Sequence, residues 1–158
     1  ATNANATVPE YLDSGIYRVR PSVPTLSNAM DVGAPGNWER IEALFGGDLE
    51  ALRRALRWGS ATDAETIDEM HILFRRGYLA DPHGAVAHAV LRRCLAAGET
   101  GVFLATAHPS KFDSILQGEL DVNVPLPPAL DIVSRRPLLA ERLPNSLDAL
   151  VETLDDWP

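Results

Sequence analysis

The sequence contains one lysine, one cysteine and no long apolar run. Among its 158 residues, 14 Lys and Arg stand against 22 Asp and Glu, which gives a formal net charge of −8, and Lys111 is the single lysine. Nucleic acids and anionic membranes are bound by clustered basic side chains, whereas the arginines here occur singly or in isolated pairs. A membrane-spanning helix requires roughly 20 consecutive apolar residues, and no such run is present. We therefore expect a cytoplasmic protein that binds neither nucleic acid nor a membrane.

The scarcity of cysteine and histidine limits the chemistry further. Cys94 has no second cysteine with which to form an internal disulfide. The four histidines are not spaced as a metal-binding pair on one helix and have no cysteine partner, so no metal site is predicted. A phosphate-binding Walker loop and a Gly-x-Ser-x-Gly elbow are also missing from the sequence.

Helix caps and apolar periodicity predict a mostly helical chain, with 46% hydrophobic residues to form a core. A short helix is expected near Pro9, before the Pro-containing loop at residues 18–36, and a last helix is expected over residues 147–154. Four further helices are predicted to begin at Asn37, Asp48, Thr62 and Asp81 and to end at the glycines at positions 46, 59, 77 and 98.

The third of these four helices has the clearest apolar stripe. Ile67, Met70, His71 and Phe74 recur at helical spacing, so we expect them to form its buried face. A histidine on such a stripe serves either as a hydrogen-bonded core residue or as a ligand, and the pattern leaves both open. In the next helix, Cys94 lies on the apolar face and is expected to pack rather than react.

A continuous apolar run at residues 101–107 predicts a strand that is buried on both faces. A helix is expected to begin close to Pro109, so Thr106 and His108 lie where a strand meets a helix. In open α/β sheets, ligands bind beyond the carboxyl ends of the strands, and a helix N-terminus favours an anion. The pattern alone therefore predicts an acidic, mostly helical α/β protein with a candidate pocket at this junction.

Six blocks follow one another along nearly the whole chain. They are ATNAN with TVP (1–9), TLSNAMDV (25–32), NWER (37–40), GY (77–78), DPHGAVA (81–87) and LATAHPSKF (104–112). Together, and in this order, the blocks resemble the C-terminal part of the threonine synthase family, of the bacterial and fungal type. The tail, with RPLL (136–139) and LP (143–144), is similar to that family as well.

The resemblance implies a fold, a cofactor and a reaction. The fold is α/β, here a mostly helical C-terminal piece, with few strands, of the tryptophan-synthase-β-like fold (fold type II) of enzymes that use pyridoxal 5'-phosphate (PLP). The reaction is a step of threonine biosynthesis, in which a lyase converts O-phosphohomoserine and water to threonine and phosphate by γ-elimination and β-addition. Residues 1–120 would complete the PLP-binding domain, and residues 121–158 would form a tail that wraps the surface.

The resemblance also assigns site residues. The hydroxyl of Thr106 is expected to meet the pyridine nitrogen of PLP, with Ala105 and Ala107 shaping the pocket beside it. Six further residues are expected in the substrate pocket: Ser27, Asn28, Asp31, His83, His108 and Lys111. A turn-forming role is equally open for Ser27, Asn28 and Asp31. His108 and Lys111 match the family block, but they could serve either the site or only the loop and the start of the helix.

The Schiff-base lysine and the glycine-rich phosphate loop of the family lie upstream of the region that this chain resembles. Lys111 belongs to a different block, so we do not expect it to take the catalytic role. The expectation is therefore that no catalytic residue lies in this sequence, that the chain is inactive alone, and that its partner is the N-terminal portion of the same enzyme. The alternative is a stand-alone helical module, derived from a PLP enzyme, that works by protein interaction.

Overall fold

Eight α-helices and two short 3-10 turns make up the regular structure of residues 1–140 and 142–155, the part of the chain that this computed structural model describes. The helices are α1 Thr7–Ser14, α2 Trp38–Leu44, α3 Leu49–Ala55, α4 Asp63–Arg75, α5 Pro82–Cys94, α6 Asp113–Leu120, α7 Pro128–Ser134 and α8 Leu147–Asp155. The 3-10 turns span Asn28–Met30 and Pro109–Phe112. Thr2 and Ser60 form an isolated parallel bridge. None of the described helices is long and apolar enough to cross a membrane.

The described chain divides into two units at residue 125. The first unit, Ala1–Pro125, contains α1 to α6, and the second begins at Leu126 and contains α7 and α8. No described residue of the second unit is buried, and Leu138 and Leu139 are 87% and 88% exposed. The sequence-based division between residues 120 and 121 concerned function: residues 1–120 were to complete a cofactor-binding domain and residues 121–158 to form a tail. Both roles stay predictions.

The helical pair α4 and α5 begins at caps that are visible in the sequence. Thr62 Oγ1 accepts a hydrogen bond from the Glu65 amide at 3.2 Å, and the Glu65 carboxylate accepts one from the Thr62 amide at 2.7 Å, which is a capping box. Asp81 caps α5 without a reciprocal bond: its carboxylate accepts from the amides of His83 and Gly84 at 3.3 and 3.1 Å. Both predicted starts are confirmed, but the predicted end of α5 is wrong. The helix ends at Cys94, and Gly98, with a φ of +85°, lies in the turn beyond it.

The buried face of α4 differs from the predicted one. Met70 is buried as expected, but Phe74 is 42% exposed, and Ile67 and His71 are only half-buried. The buried residues of the helix are instead Thr66, Glu69, Met70 and Leu73. The face is shifted because the carboxylate of Glu69 is paired with two basic side chains of α5, so that a charged residue lies inside. An apolar pattern could not indicate this.

Three clusters of buried apolar residues form the core of the first unit. Their members are Leu12, Trp38 and Leu52; Ala61, Val86 and Ala89; and Met70, Ala85 and Leu116. The third cluster joins α4, α5 and α6. Because Ala85 and Leu116 have no exposed surface, α6 is fixed against the helical pair, and the 3-10 turn Pro109–Phe112 at its N-terminus is fixed with it.

The predicted strand at residues 101–107 does not form. The segment is extended, but within the described residues it pairs with no other strand. Val102 and Leu104 are 84% and 76% exposed, so burial on both faces was wrong. Phe103, between them, packs edge-on against Tyr78 and His88, with ring centroids 5.9 and 5.2 Å away. One face of the segment therefore packs against the protein through Phe103. The other face stays exposed, because burying it would require neighbouring strands.

Candidate functional site

The junction after the extended segment lines a cavity, as the sequence predicted. Its lining includes two stretches of the chain: Ala105, Thr106, Ala107 and His108 from the junction, and Tyr78, Leu79 and Asp81 from the segment before α5. The cavity has a volume of about 380 Å³. Thr106 is exposed, and no other described residue hydrogen-bonds to its hydroxyl. This hydroxyl is therefore available to a ligand.

Thr106 also lines a second cavity, of about 410 Å³. Met30, His83, Phe103 and Leu104 are among the other lining residues, and the wall is more apolar than that of the first cavity. The two cavities share Thr106, while Asp81 lines the first and His83 lines the second. The three side chains thus belong to one candidate site.

His83 is held at both ring nitrogens. Its Nδ1 lies 2.8 Å from Asp81 Oδ2, and the Ala29 amide donates to its Nε2 at 3.1 Å. Because an amide can only donate, Nε2 carries no proton, and the proton of the neutral ring is on Nδ1, where it is donated to Asp81. Asp81 and His83 are 2% and 5% exposed. His83 lines the second cavity but has no free nitrogen toward it, and its substrate-pocket role stays a prediction.

Asp31 accepts four hydrogen bonds inside the protein. Its Oδ1 accepts from Thr25 Oγ1 at 2.7 Å, from Asn3 Nδ2 at 2.8 Å and from Asn5 Nδ2 at 3.1 Å. Its Oδ2 accepts from the Thr25 amide at 3.0 Å. Such a carboxylate is satisfied by its neighbours, which supports the turn-forming alternative for this residue. The substrate-pocket role of Asp31 stays a prediction.

The two neighbours of Asp31 in the same predicted block differ in exposure. Ser27 is 1% exposed, and its Oγ lies 3.1 Å from Asn3 Nδ2, which donates to it. Asn28 is exposed at the start of the 3-10 turn, and its carbonyl accepts from the Asp31 amide at 3.1 Å. Of Ser27, Asn28 and Asp31, only Asn28 is exposed, so it is the most accessible to a ligand of these three predicted residues.

His108 and Lys111 separate in the structure. His108 Nδ1 accepts from the Ser110 amide at 3.2 Å and caps the 3-10 turn Pro109–Phe112, while its ring lines the first cavity. Lys111 is exposed and lines neither cavity that contains Thr106. The structure therefore brings His108 to the candidate site and leaves the single lysine outside its walls.

The chain is similar to known proteins over almost its entire length. A family model described as threonine synthase, C-terminal, matches residues 84–154. Threonine synthase from Haemophilus influenzae is 46% identical over 153 residues, which are 95% of this chain and 35% of that protein. Threonine synthase from Serratia marcescens is 44% identical over 158 residues, which are 100% of this chain and 37% of that protein. The chain is therefore similar, over nearly its whole length, to about a third of each of these threonine synthases.

Solved threonine synthases share the fold of this chain. The crystal structure of the Escherichia coli enzyme superposes with a TM-score of 0.88 at 40% identity, covering 99% of this chain and 36% of that one. The PLP-bound threonine synthase from Brucella melitensis gives a TM-score of 0.81 at 29% identity, covering 98% and 39%. This chain thus spans little more than a third of the length of the threonine synthases that it matches.

Sequence reasoning missed several residues that support the segments around the candidate site. Asn3 and Asn5 anchor the loop of Asp31, and their spacing of two residues in a buried segment was the available signal. The second group links α4 and α5 to the extended segment: Glu69 Oε1 lies 2.6 Å from His88 Nδ1, and Glu69 Oε2 accepts from Arg92 at 3.1 Å. His88 in turn packs against Phe103. No group of three or more His, Cys, Asp or Glu among the described residues is arranged to hold a metal ion.

Proposed function

We propose that this chain is the C-terminal part of a PLP-dependent threonine synthase that converts O-phosphohomoserine and water to threonine and phosphate. The observation that carries the proposal is the Thr106 hydroxyl, which lines two adjoining cavities and makes no hydrogen bond to another described residue. The similarity of the chain to threonine synthases, one of them PLP-bound, supplies the context.

The residues around Thr106 fit a planar aromatic ring. Ala105 and Ala107 flank the hydroxyl with methyl groups only, which leaves room for a flat ring between the walls. A neutral hydroxyl can donate a hydrogen bond to an unprotonated pyridine nitrogen, and it does not force protonation of that nitrogen as a carboxylate would. PLP, when bound, supplies the electron sink for the chemistry at the substrate carbon atoms. In this proposal Thr106 orients the ring through its nitrogen.

The covalent lysine is proposed to come from outside this sequence. Lys111 is exposed and lines neither cavity of the candidate site, which argues against a direct role in the reaction. We infer that the N-terminal portion of the same enzyme provides the lysine and the phosphate-binding loop. The isolated chain would accordingly bind PLP weakly or not at all and would be inactive.

The same portion is proposed to complete the fold. Val102 and Leu104 present a mostly exposed apolar face, and the backbone of the extended segment has no strand partner within the described residues. Such a segment is suited to pair with strands supplied by the remainder of the enzyme. We propose that residues 1–120 thereby complete a PLP-binding domain of fold type II and that residues 121–158 form its wrapping tail. The relatives are enzymes, which does not favour the alternative of a stand-alone interaction module.

Two substitutions of Thr106 in the full-length enzyme test the proposal. Thr106→Val removes the hydroxyl at nearly constant volume and is expected to weaken PLP binding about tenfold, the effect of losing one hydrogen bond. Thr106→Ser keeps the hydroxyl and serves as the matched control, with PLP affinity close to that of the unsubstituted enzyme. The measurements are titration of the apoenzyme with PLP by absorbance and the rate of threonine formation from O-phosphohomoserine. Equal PLP affinity in both variants would remove Thr106 from the cofactor site.

A further inference from the structure

His83 connects the two 3-10 turns that flank the candidate site. Its Nε2 accepts the amide proton of Ala29, in the turn Asn28–Met30, at 3.1 Å. Its ring packs on Phe112, in the turn Pro109–Phe112, with centroids 4.9 Å apart. The histidine itself lies in the first turn of α5, where the Asp81 cap accepts from its backbone amide at 3.3 Å and binds its Nδ1 at 2.8 Å. One buried ring thus contacts three separate segments.

These contacts determine the protonation of the ring. Its hydrogen-bond and aromatic partners are the Asp81 carboxylate, the Ala29 amide and the Phe112 ring, and only the first of these carries a charge. Nε2 must be unprotonated to accept from Ala29, so the single ring proton is on Nδ1 and is donated to Asp81. With both nitrogens in use and the ring 5% exposed, His83 has no site from which to exchange a proton with a substrate.

We propose that His83 is a positioning residue that fixes the turn Asn28–Met30 against the wall carrying Thr106 and takes no part in proton transfer. The part of this inference that concerns activity rests on the proposed function. Because Asp81 accepts the proton on Nδ1, the ring keeps the tautomer in which Nε2 is an acceptor. Nε2 can then accept the hydrogen bond that holds the Ala29 amide. Met30, the next residue, lines the cavity that Thr106 and His83 share, so a displaced turn would change the shape of that cavity.

Two variants of His83 separate positioning from chemistry in the full-length enzyme. His83→Gln can place its amide oxygen near the position of Nε2 and still accept from Ala29, whereas His83→Leu cannot. We expect His83→Leu to lower kcat/KM roughly tenfold, because it leaves the Ala29 amide without its partner, and His83→Gln to restore most of the loss. A glutamine variant as inactive as the leucine variant, with Ala29 still protected from exchange, would contradict the proposal and indicate a chemical role.

Readouts that do not depend on activity decide the structural part. Nitrogen-15 spectra of the histidine-labelled enzyme are expected to show a neutral His83 ring protonated at Nδ1. Hydrogen exchange at the Ala29 amide is expected to be slow in the unsubstituted protein and in His83→Gln and to become faster in His83→Leu. His71→Leu, which changes a half-buried histidine outside the site, is the control and should leave this exchange unchanged. A ring protonated at Nε2, or Ala29 exchange that is fast in the unsubstituted protein, would overturn the inference.

The two proposals fail separately. If the unsubstituted full-length enzyme forms no threonine, the proposed function is wrong, and the tautomer and the exchange rates still decide whether His83 holds the turn. If threonine forms but the ring is protonated at Nε2, the proposed function stands and the positioning role is wrong. If His83→Leu does not fold, the nitrogen-15 spectrum of the unsubstituted enzyme and the kcat/KM of His83→Gln carry the test.

Discussion

Two regions of the first unit differ in where their interactions come from: the helical pair α4 and α5, and the extended residues 101–107. The polar groups of the helices find their partners within the chain, in the capping box at Thr62, in the cap at Asp81 and in the ion pair of the buried Glu69 carboxylate. The extended segment leaves Val102 and Leu104 mostly exposed and has no strand partner within the described residues. A helix makes its backbone hydrogen bonds with itself, whereas a strand depends on residues elsewhere.

The largest expected effect contrasts a buried leucine with an exposed one. Leu116→Ala removes a fully buried side chain from the cluster of α4, α5 and α6 and is expected to destabilise this chain by about 3 kcal/mol. Leu104→Ala is the matched control: its side chain is 76% exposed, so the free energy of unfolding should change by less than about 0.5 kcal/mol. Urea titration of each variant measures both values.

Leu104→Ala can also be measured in the full-length enzyme and compared with its effect in the isolated chain. If strands from the remaining portion cover the extended segment, Leu104→Ala should destabilise the full-length enzyme by about 2 kcal/mol or more, as at a core position. An equally small effect in both proteins would contradict the proposed pairing of residues 101–107.

The next effect concerns the loop that faces the site. Asp31→Ala leaves three side-chain donors, on Thr25, Asn3 and Asn5, without their shared acceptor and is expected to cost about 2 kcal/mol of stability. Asp68→Ala, at an exposed position of α4, is the control and should have little effect. Thermal unfolding of the two variants provides the measurement, and equal melting temperatures would show that the network around Asp31 contributes no stability.

The smallest effect is a dependence of stability on pH at the end of α5. The Arg57 guanidinium, together with the Ala96 amide, lowers the pKa of Glu99 from its ordinary value of 4.5 to about 2. A lowered folded-state pKa stabilises the protein above the ordinary pKa, and this contribution is lost as the pH falls from about 4.5 toward 2. Because the pair is exposed, its contribution at neutral pH is small.

Glu99→Gln should therefore reduce stability slightly at pH 7, and this difference should shrink as the pH falls from about 4.5 toward 2. Denaturant titrations of both proteins across this range measure the difference. A difference that stays constant over the whole range would show that the Glu99 charge is not its source.

The comparison also explains what the sequence could predict. Thr62, Asp81 and Pro82 fixed two helix starts because capping is a local interaction. The sequence predicted a pocket at Thr106 because the end of an apolar run and a following Pro coincide there, and that junction does line a cavity. The contact of Thr106 with a cofactor stays a prediction. The predicted strand was wrong because residues 101–107 pair with no other strand among the described residues. Glu69 was missed because its burial depends on basic side chains 19 and 23 positions further along the chain.

The loop at residues 25–31 shows the same limit. Its Ser, Asn and Asp predicted either a turn or a pocket, and the sequence could not choose between them. The structure shows Asp31 bonded to Asn3 and Asn5, which are 28 and 26 positions away. The positioning role proposed for His83 could likewise not be predicted from the sequence, since the amide that donates to its Nε2 belongs to Ala29, 54 positions away. Contacts over such separations follow from packing rather than from local pattern.

The central claim is that this chain supplies Thr106 to a threonine synthase whose covalent lysine lies elsewhere. The most direct test compares the isolated chain with the full-length enzyme, each incubated with PLP and O-phosphohomoserine, and measures the threonine and phosphate released. The account predicts equal amounts of the two products from the full-length enzyme and none from the isolated chain. Threonine formation by the isolated chain, or its absence from the PLP-loaded full-length enzyme, would contradict it.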